Sequence, residues 1–454
     1  MTLIRCHGGL EWLNLSYFLY SLALAMGILL SLPYWLYKMM RHGKYRAGLG
    51  QRLGNVPPNL VRHTDSRPVI WVHAVSVGEV LAVSGLVEEM RRSFSGFRVL
   101  ISTTTNTGQG LARKRFGEEY VFYFPLDFEF AVRPYLQALR PALVVLTETE
   151  FWPNFLHLAH ISGARIVVVN ARVSDRSWPS YQRFRWALRR MLAGVDAFLA
   201  QTQADAARLQ SLGANASRVQ VTGNLKFDVC LPAPPPIVET LRRALESDAA
   251  GPVLVCGSTV EGEEPPLVNS FETVRTQHPR AVMILAPRHP ERFDQVATLL
   301  RQLGTPFYRR SEWTGGSLAG GVLLVDSIGE LAALYALADV AFVGGSLVSR
   351  GGHNIIEPAQ HGVAILTGKH IENFRDIVGL FQSHDAVRIV RLSELTPTLL
   401  QLLAVDSERL ALGQRAEETI RSQKGATART LAALNTLLAA SETPPPSVQA
   451  AHTH

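Results

Sequence analysis

Cysteine and charge are both scarce in this chain. Its three cysteines, Cys6, Cys230 and Cys256, lie far apart and are odd in number. No disulfide framework is readable from them, and a reducing compartment fits better. Charged residues make up only 18% of the 454 positions against 47% apolar ones, which excludes a disordered chain and leaves material for large cores. Several nucleotide and metal signatures are missing too. No GxGxxG follows the first apolar run, which weighs against a dinucleotide oxidoreductase. Gly362–His370 (GVAILTGKH) imitates a P-loop, but it has five residues between its glycines and a histidine after the lysine, so it fails the pattern. No Asp-x-Asp motif stands out, and His157 and His160 have no third partner at a ligand-like spacing, so no metal site is expected.

Acid is absent from one stretch in particular. The formal charge of +7 suggests nucleic-acid binding, but Lys38, Arg41, Lys44, Arg46, Arg52 and Arg62 occupy a segment without a single Asp or Glu. These six leave only +1 for the rest of the chain, and with the basicity so local a nucleic-acid partner is disfavoured. Just before this segment, Trp12–Tyr37 runs for 26 residues without any charge, long enough for the roughly 20 residues that a membrane span requires. Trp12, Tyr17, Tyr34, Trp35 and Tyr37 lie toward its ends, where aromatic rings favour the membrane interface. The positive-inside rule then places the remainder of the chain in the cytoplasm. A signal peptide would need basic residues ahead of a short apolar core and a small-residue cleavage site, and neither fits. A monotopic segment stays open, because Asn14, Ser16 and Pro33 weaken a full span. The basic flank is suited to an inner membrane with anionic lipids.

The length predicts more than one folding unit. After Pro68, short apolar runs alternate with amphipathic stretches. Val69–His73, Val99–Ser102, Leu143–Thr147, Ile166–Asn170, Phe198–Ala200 and Val219–Val221 read as buried parallel strands. The proline-rich Leu231–Pro236 interrupts the pattern, which resumes with Val253–Cys256, Val282–Ala286, Val322–Val325, Val340–Val343 and Ala364–Leu366. The fold class is therefore α/β, with two doubly wound domains whose ligands sit at the carboxyl ends of the strands. The expected boundaries are an anchor over 1–40, a first domain over 41–230, a hinge over 231–250, a second domain over 251–440 and a disordered tail over 441–454.

Polar residues gather at the predicted strand ends. Ser76 and Glu79 follow the first strand at the spacing of a helix cap, which also suits a carboxylate acting as general base. Glu148 and Glu150 leave the Leu143–Thr147 strand, and two acids so close require a cation, with Arg172 a candidate, or exposure. Lys226 in VTGNLKFD is either an ordinary exposed lysine or a functional one at the hinge. In the second half, VCGSTVEGEE reads as a strand, a turn and a helix start suited to an anion. Arg288 offers planar recognition of phosphate. The pairs Gly344–Gly345 and Gly351–Gly352 allow close backbone approach, a helix from Ile355 onward can receive a phosphate, and Glu357 can accept ribose hydroxyls.

Taken in order, SVGE, TETEFWPN, NAR, TGNLKFD, PRHPERF and GGSLVSRGGHN with its following Glu resemble the 3-deoxy-D-manno-octulosonic acid (Kdo) transferases, membrane-anchored glycosyltransferases of the GT-B fold. Ile328 stands where many members have Met, and the Trp178–Trp186 stretch has no close match. The resemblance implies that Glu79 is the catalytic base and that Glu148 and Lys226 stabilise the transition state. It further implies that Pro287, Arg288, Ile328, Gly329, Glu330, Asn354, Ile355, Ile356, Glu357 and Pro358 hold the CMP moiety. The implied reaction is inverting and metal-independent transfer of Kdo from CMP-Kdo to the glucosamine disaccharide of a tetraacylated lipid A precursor, with no cofactor.

Overall fold

A computed structural model of the protein describes residues 7–42, 48–61, 67–175, 177–229 and 233–442. The chain divides into two compact units, one formed by Met1–Val229 with Lys424–His454 and the other by Cys230–Gln423.

The first unit is built on a parallel sheet of β1 (Val69–His73), β2 (Arg98–Thr103), β3 (Val121–Tyr123), β4 (Pro141–Thr147), β5 (Arg165–Ala171), β6 (Ala197–Ala200) and β7 (Val219–Val221), in the order β3-β2-β1-β4-β5-β6-β7. β1 is buried at every position because helices cover both sheet faces, which explains why it reads as a continuous apolar run without alternation. Strand order reverses between β1 and β4, and ligands of doubly wound sheets lie outside the strand ends at such a reversal. His73 pairs in register with Leu146, so Thr147 emerges just beyond the end of β1.

The second unit carries β8 (Val253–Thr259), β9 (Val282–Pro287), β10 (Phe307–Arg309), β11 (Val322–Leu324), β12 (Val340–Val343), β13 (Ala364–Gly368) and β14 (Arg388–Val390), in the order β10-β11-β9-β8-β12-β13-β14. Its reversal lies between β8 and β12. The expected strands are all present, while β3, β10 and β14 are additions. Each addition is three residues long at or next to a sheet edge, too short to give a periodic signal.

Two boundaries differ from expectation. Within the expected hinge over 231–250, Pro236–Ser247 is helical, with Pro236 in the first turn, where its missing N–H costs nothing. Val238, Leu241 and Leu245 on that helix enter the core of the second unit. The last helix, Ala426–Glu442, expected in the second domain, belongs to the first unit and buries Ala426, Leu434 and Leu438 beside β1 and the helix Val77–Ser93. The carboxylate of Asp228 fixes its start by accepting from Gly425 N at 2.8 Å and from Thr427 N. The expected tail from 443 onward lies outside the described residues.

The N-terminal helix His7–His42 runs through Pro33 and holds an apolar segment, Ser16–Tyr34, of mean hydropathy 1.6 with none of it buried. Tyr17 and Ser21 of this helix rest on the helix Pro153–Ile161. Tyr17 stacks on His157 with ring centroids 4.2 Å apart, and Asn154 Nδ2 donates to Ser21 Oγ at 2.9 Å. His157, a residue weighed as a metal ligand, is thus a stacking partner of the apolar helix.

Candidate active site

In the first unit, β1 delivers its chain to Ser76, which caps the helix Val77–Ser93 and accepts from Glu79 N at 3.5 Å. The side chain of Glu79 folds back over the strand ends and is only 8% exposed. Glu79 Oε2 accepts from Val75 N at 2.9 Å and from Thr147 Oγ1 at 2.7 Å, while Oε1 accepts from Ser76 Oγ at 3.0 Å. The cap reading of Glu79 therefore holds locally, and its carboxylate is fixed at the strand reversal. Burial raises its pKa above the usual carboxylate value and the charge of Glu148 adds to this, against the lowering effect of the three hydrogen bonds. Thr147, which sequence reasoning left as a strand terminus, orients the carboxylate by bridging His73 O at 3.0 Å and Glu79.

β4 is followed at once by Glu148, whose φ of 55° lies in the left-handed region, where a residue with a side chain is strained. Glu148 N donates to Val169 O at 3.0 Å, which ties the turn to β5. The cation met by Glu148 is Lys226 Nζ at 3.4 Å, and both side chains are about a quarter exposed. Lys226 owes its position to the buried Asn170, itself at φ 52°, whose Oδ1 accepts from Leu225 N at 3.0 Å. Burial, with Glu79 and Glu148 nearby, pushes the pKa of Glu150 up to about 7. The structure thus brings Glu79, Glu148 and Lys226 together and adds Glu150.

In the second unit, the register of β8 breaks at Ser258, at φ 55°, just before the strand ends at Thr259. The following acids fold onto the protein, which removes the anion site expected at this helix start. Fully buried Glu264 receives a two-pronged ion pair from Arg292 (2.5 and 3.2 Å) and a hydrogen bond from Thr259 Oγ1 at 3.0 Å. Pro265 and Pro266 begin the helix and offer no N–H. Glu263, also fully buried, accepts from four backbone N–H groups, those of Val260, Gly345, Ser346 and Leu347, at 2.7–3.1 Å. Glu263 therefore shapes the glycine loop after β12. Glycine is required at Gly345, where φ is +71° and a Cβ would lie 2.7 Å from the His353 ring. The signal for this pair was present in two adjacent acids ahead of two prolines, but their partners are distant in sequence.

Pro287 ends β9 buried, and the backbone N–H of Arg288 donates to Thr259 O at 2.9 Å while the residue itself stays exposed. Burial lowers the pKa of His353 to about 4, with the charges of Arg288 and His289 adding to it, and its Nε2 is buried without a hydrogen-bond partner among the described residues. Burial raises the pKa of Glu357, while Asn354 Nδ2 at 3.4 Å and the charge of Arg288 oppose the rise. Arg288, His289, His353, Asn354 and Glu357 thus share one neighbourhood, to which sequence reasoning had not assigned His353. Other expected contacts differ. Ile355, Ile356 and Pro358 are core residues, which leaves only their backbone to meet a ligand. The helix beginning there is just the four residues Ile356–Ala359, and Ile356 N is already bound to Asn354 Oδ1 at 3.1 Å, so it is no phosphate-receiving helix end. Ile328 is 78% exposed beside Gly329 at φ 92°, and Glu330 is paired with Arg310 at 2.8 Å.

Residues 47–229 match the family model for 3-deoxy-D-manno-octulosonic-acid transferase. The chain is 38% identical over 378 residues to a 3-deoxy-D-manno-octulosonic acid transferase of Bordetella pertussis, covering 80% of this chain and 86% of the relative. It is 33% identical over 370 residues to the enzyme of the same name from Haemophilus influenzae, covering 80% and 85%. The chain belongs to the Kdo transferase family. It is a glycosyltransferase that transfers Kdo in lipopolysaccharide biosynthesis. A solved structure of a putative UDP-N-acetylglucosamine 2-epimerase from Listeria monocytogenes matches with a TM-score of 0.56 at 14% identity, covering 84% of this chain and 99% of that one. Identity that low speaks for the shared two-domain GT-B architecture alone. Among the described residues, no group of three His, Cys, Asp or Glu is placed to hold a metal ion.

Proposed function

We propose that this glycosyltransferase uses CMP-Kdo as donor and the glucosamine disaccharide of a tetraacylated lipid A precursor as acceptor, in an inverting and metal-independent reaction. The observation that carries the catalytic reading is the arrangement of Glu79. It is a buried carboxylate of raised pKa at the strand reversal, held by three hydrogen bonds with a second carboxylate and a lysine beside it. A base so tuned remains basic enough to take the proton of an acceptor hydroxyl as that oxygen attacks the anomeric carbon. Glu148 and Lys226 are proposed to stabilise charge in the transition state.

Donor recognition is assigned to the second unit. Arg288 supplies the cation for the departing phosphate, which leaves with cytidine as CMP. Glu357 and Asn354 offer polar groups to the nucleoside, and the Gly329 and Glu330 turn completes the set with backbone and carboxylate. The N-terminal helix is proposed to attach the enzyme to the inner membrane, with the catalytic units on the cytoplasmic face beside the basic segment that follows it.

Mass spectrometry of the purified chain incubated with CMP-Kdo and the tetraacylated precursor tests this reading: a mass increase of one or more Kdo residues is expected. Stabilisation of the chain by UDP-sugars but not by CMP in a thermal-shift assay would remove the donor assignment. Arg288→Ala is expected to weaken CMP binding about ten- to a hundredfold by calorimetry, the worth of one charge-assisted hydrogen bond to phosphate. Unchanged CMP affinity in that variant would take Arg288 out of the donor site.

A further inference from the structure

Trp178–Leu192, which takes in the Trp178–Trp186 stretch without a close family match, forms two short consecutive helices, Trp178–Arg183 and Arg185–Leu192. Trp178, Tyr181, Leu188, Met191 and Leu192 turn inward and pack on the core, so the arm is fixed to the first unit. Its outward side is unusual. Phe184 is 56% and Trp186 65% exposed, and Arg183, Arg185, Arg189 and Arg190 are exposed between and beside them. No Asp or Glu occurs from Arg176 to Val195, and none of these four arginines forms an ion pair among the described residues. Together with Trp186 they line a shallow cavity of about 680 Å³. Exposed rings beside four guanidinium groups that have no carboxylate partner among the described residues give this surface both apolar and cationic character.

The surroundings indicate what covers this surface. The helix Arg185–Leu192 packs against Pro153–Ile161, and the apolar N-terminal helix rests on that same helix through Ser21 and Tyr17. The arm and the apolar helix therefore flank a common support on one side of the sheet. Exposed Leu22, Met26, Leu29 and Leu30 carry the apolar character on the one, and the arginines and rings carry an interfacial character on the other. Aromatic rings favour the headgroup level of a bilayer, and basic side chains are drawn to anionic headgroups within a Debye length.

We propose that the arm is a second membrane contact, lying on a bilayer rich in anionic phospholipid with Trp186 and Phe184 in the interface and the four arginines on headgroup phosphates. The inference rests on the membrane reading of the N-terminal helix, and it orients the first unit by two elements instead of one. At a negatively charged surface, each arginine contributes roughly fivefold to the population of the docked arm.

The test uses the full chain with Cys6→Ser and Cys230→Ser, since Cys256 is buried, and an environment-sensitive fluorophore on Ala187→Cys. The chain is reconstituted into vesicles of phosphatidylcholine, with or without phosphatidylglycerol, containing a lipid that bears a quencher near its headgroup. Strong quenching is expected only with phosphatidylglycerol, and it should be lost when the four arginines become glutamine. The same label on Ser95→Cys, on the opposite side of the sheet, should stay unquenched. A chain that floats with the vesicles while position 187 remains in water overturns the arm alone. Equal quenching in both vesicles, unaffected by the Arg→Gln changes, overturns anionic recognition. Failure to float with either vesicle removes the membrane reading of the N-terminal helix together with this one.

Discussion

Glu79→Gln is expected to lower turnover about 10²–10⁴-fold while CMP binding is retained, because the change removes a proton acceptor from the first unit and leaves the proposed donor site of the second untouched. The fold should tolerate it. The amide oxygen can keep the hydrogen bond from Val75 N, and the amide nitrogen can donate to Ser76 Oγ, whose hydroxyl turns to suit. Single-turnover kinetics with calorimetry of CMP binding separates the two quantities, and undiminished turnover would remove Glu79 from the chemistry. The pH dependence carries a second signature. A general base works only when deprotonated, and the pKa of Glu79 lies above the ordinary carboxylate value through burial and the charge of Glu148. Activity should therefore rise with pH through an acid limb placed above the usual carboxylate range. Glu148→Gln should move that limb to lower pH, whatever it does to the maximal rate, since it removes a like charge that holds the Glu79 pKa up.

Glu263→Ala should be the most damaging single change to the second unit. It strips an acceptor from four buried or half-buried N–H groups at once, those of Val260, Gly345, Ser346 and Leu347. Unpaired donors of this kind cost roughly 3 kcal/mol or more in sum. For a unit of this size that corresponds to a fall of about 6–12 °C in its unfolding midpoint, measurable by calorimetry with and without CMP. Glu263→Gln should rescue little, because an amide group turns two of its own hydrogens toward backbone N–H donors. Loss of CMP affinity is expected alongside, as the same loop carries the chain to His353, Asn354 and Glu357. A variant with an unchanged midpoint would show that the loop holds its shape without this carboxylate.

Both predictions draw on details that the sequence announced unevenly. Glu79 was legible because its two possible roles, cap and base, use the same three-residue spacing; the structure shows the side chain in the cap, with its carboxylate held where the proposed base would act. Glu263 was not legible as a loop anchor. An acid in VCGSTVEGEE suggests exposure at a helix start, and three of its four partners lie more than 80 residues further along the chain. Lys226 was readable as a candidate from its place at a strand end, but its pairing with Glu148 depends on Asn170, which bends two separate loops toward each other. Asp228, in the same motif as Lys226, has a role visible only in three dimensions, since the N–H groups it caps belong to Gly425 and Thr427.

The amino-acid order by itself determined the two α/β units, their central strands and the polar residues at the strand ends. Continuous apolar runs and the punctuation around them are local features, readable within a window of about a dozen residues. It also determined the apolar N-terminal segment and its basic flank, since both are matters of composition. Tertiary structure alone decided which unit owns the last helix, which acids are consumed internally and which remain for chemistry. Those outcomes depend on partners brought together by sheet order across tens to hundreds of residues, and on burial, which sets the pKa of Glu79 and leaves the rings of Phe184 and Trp186 facing outward.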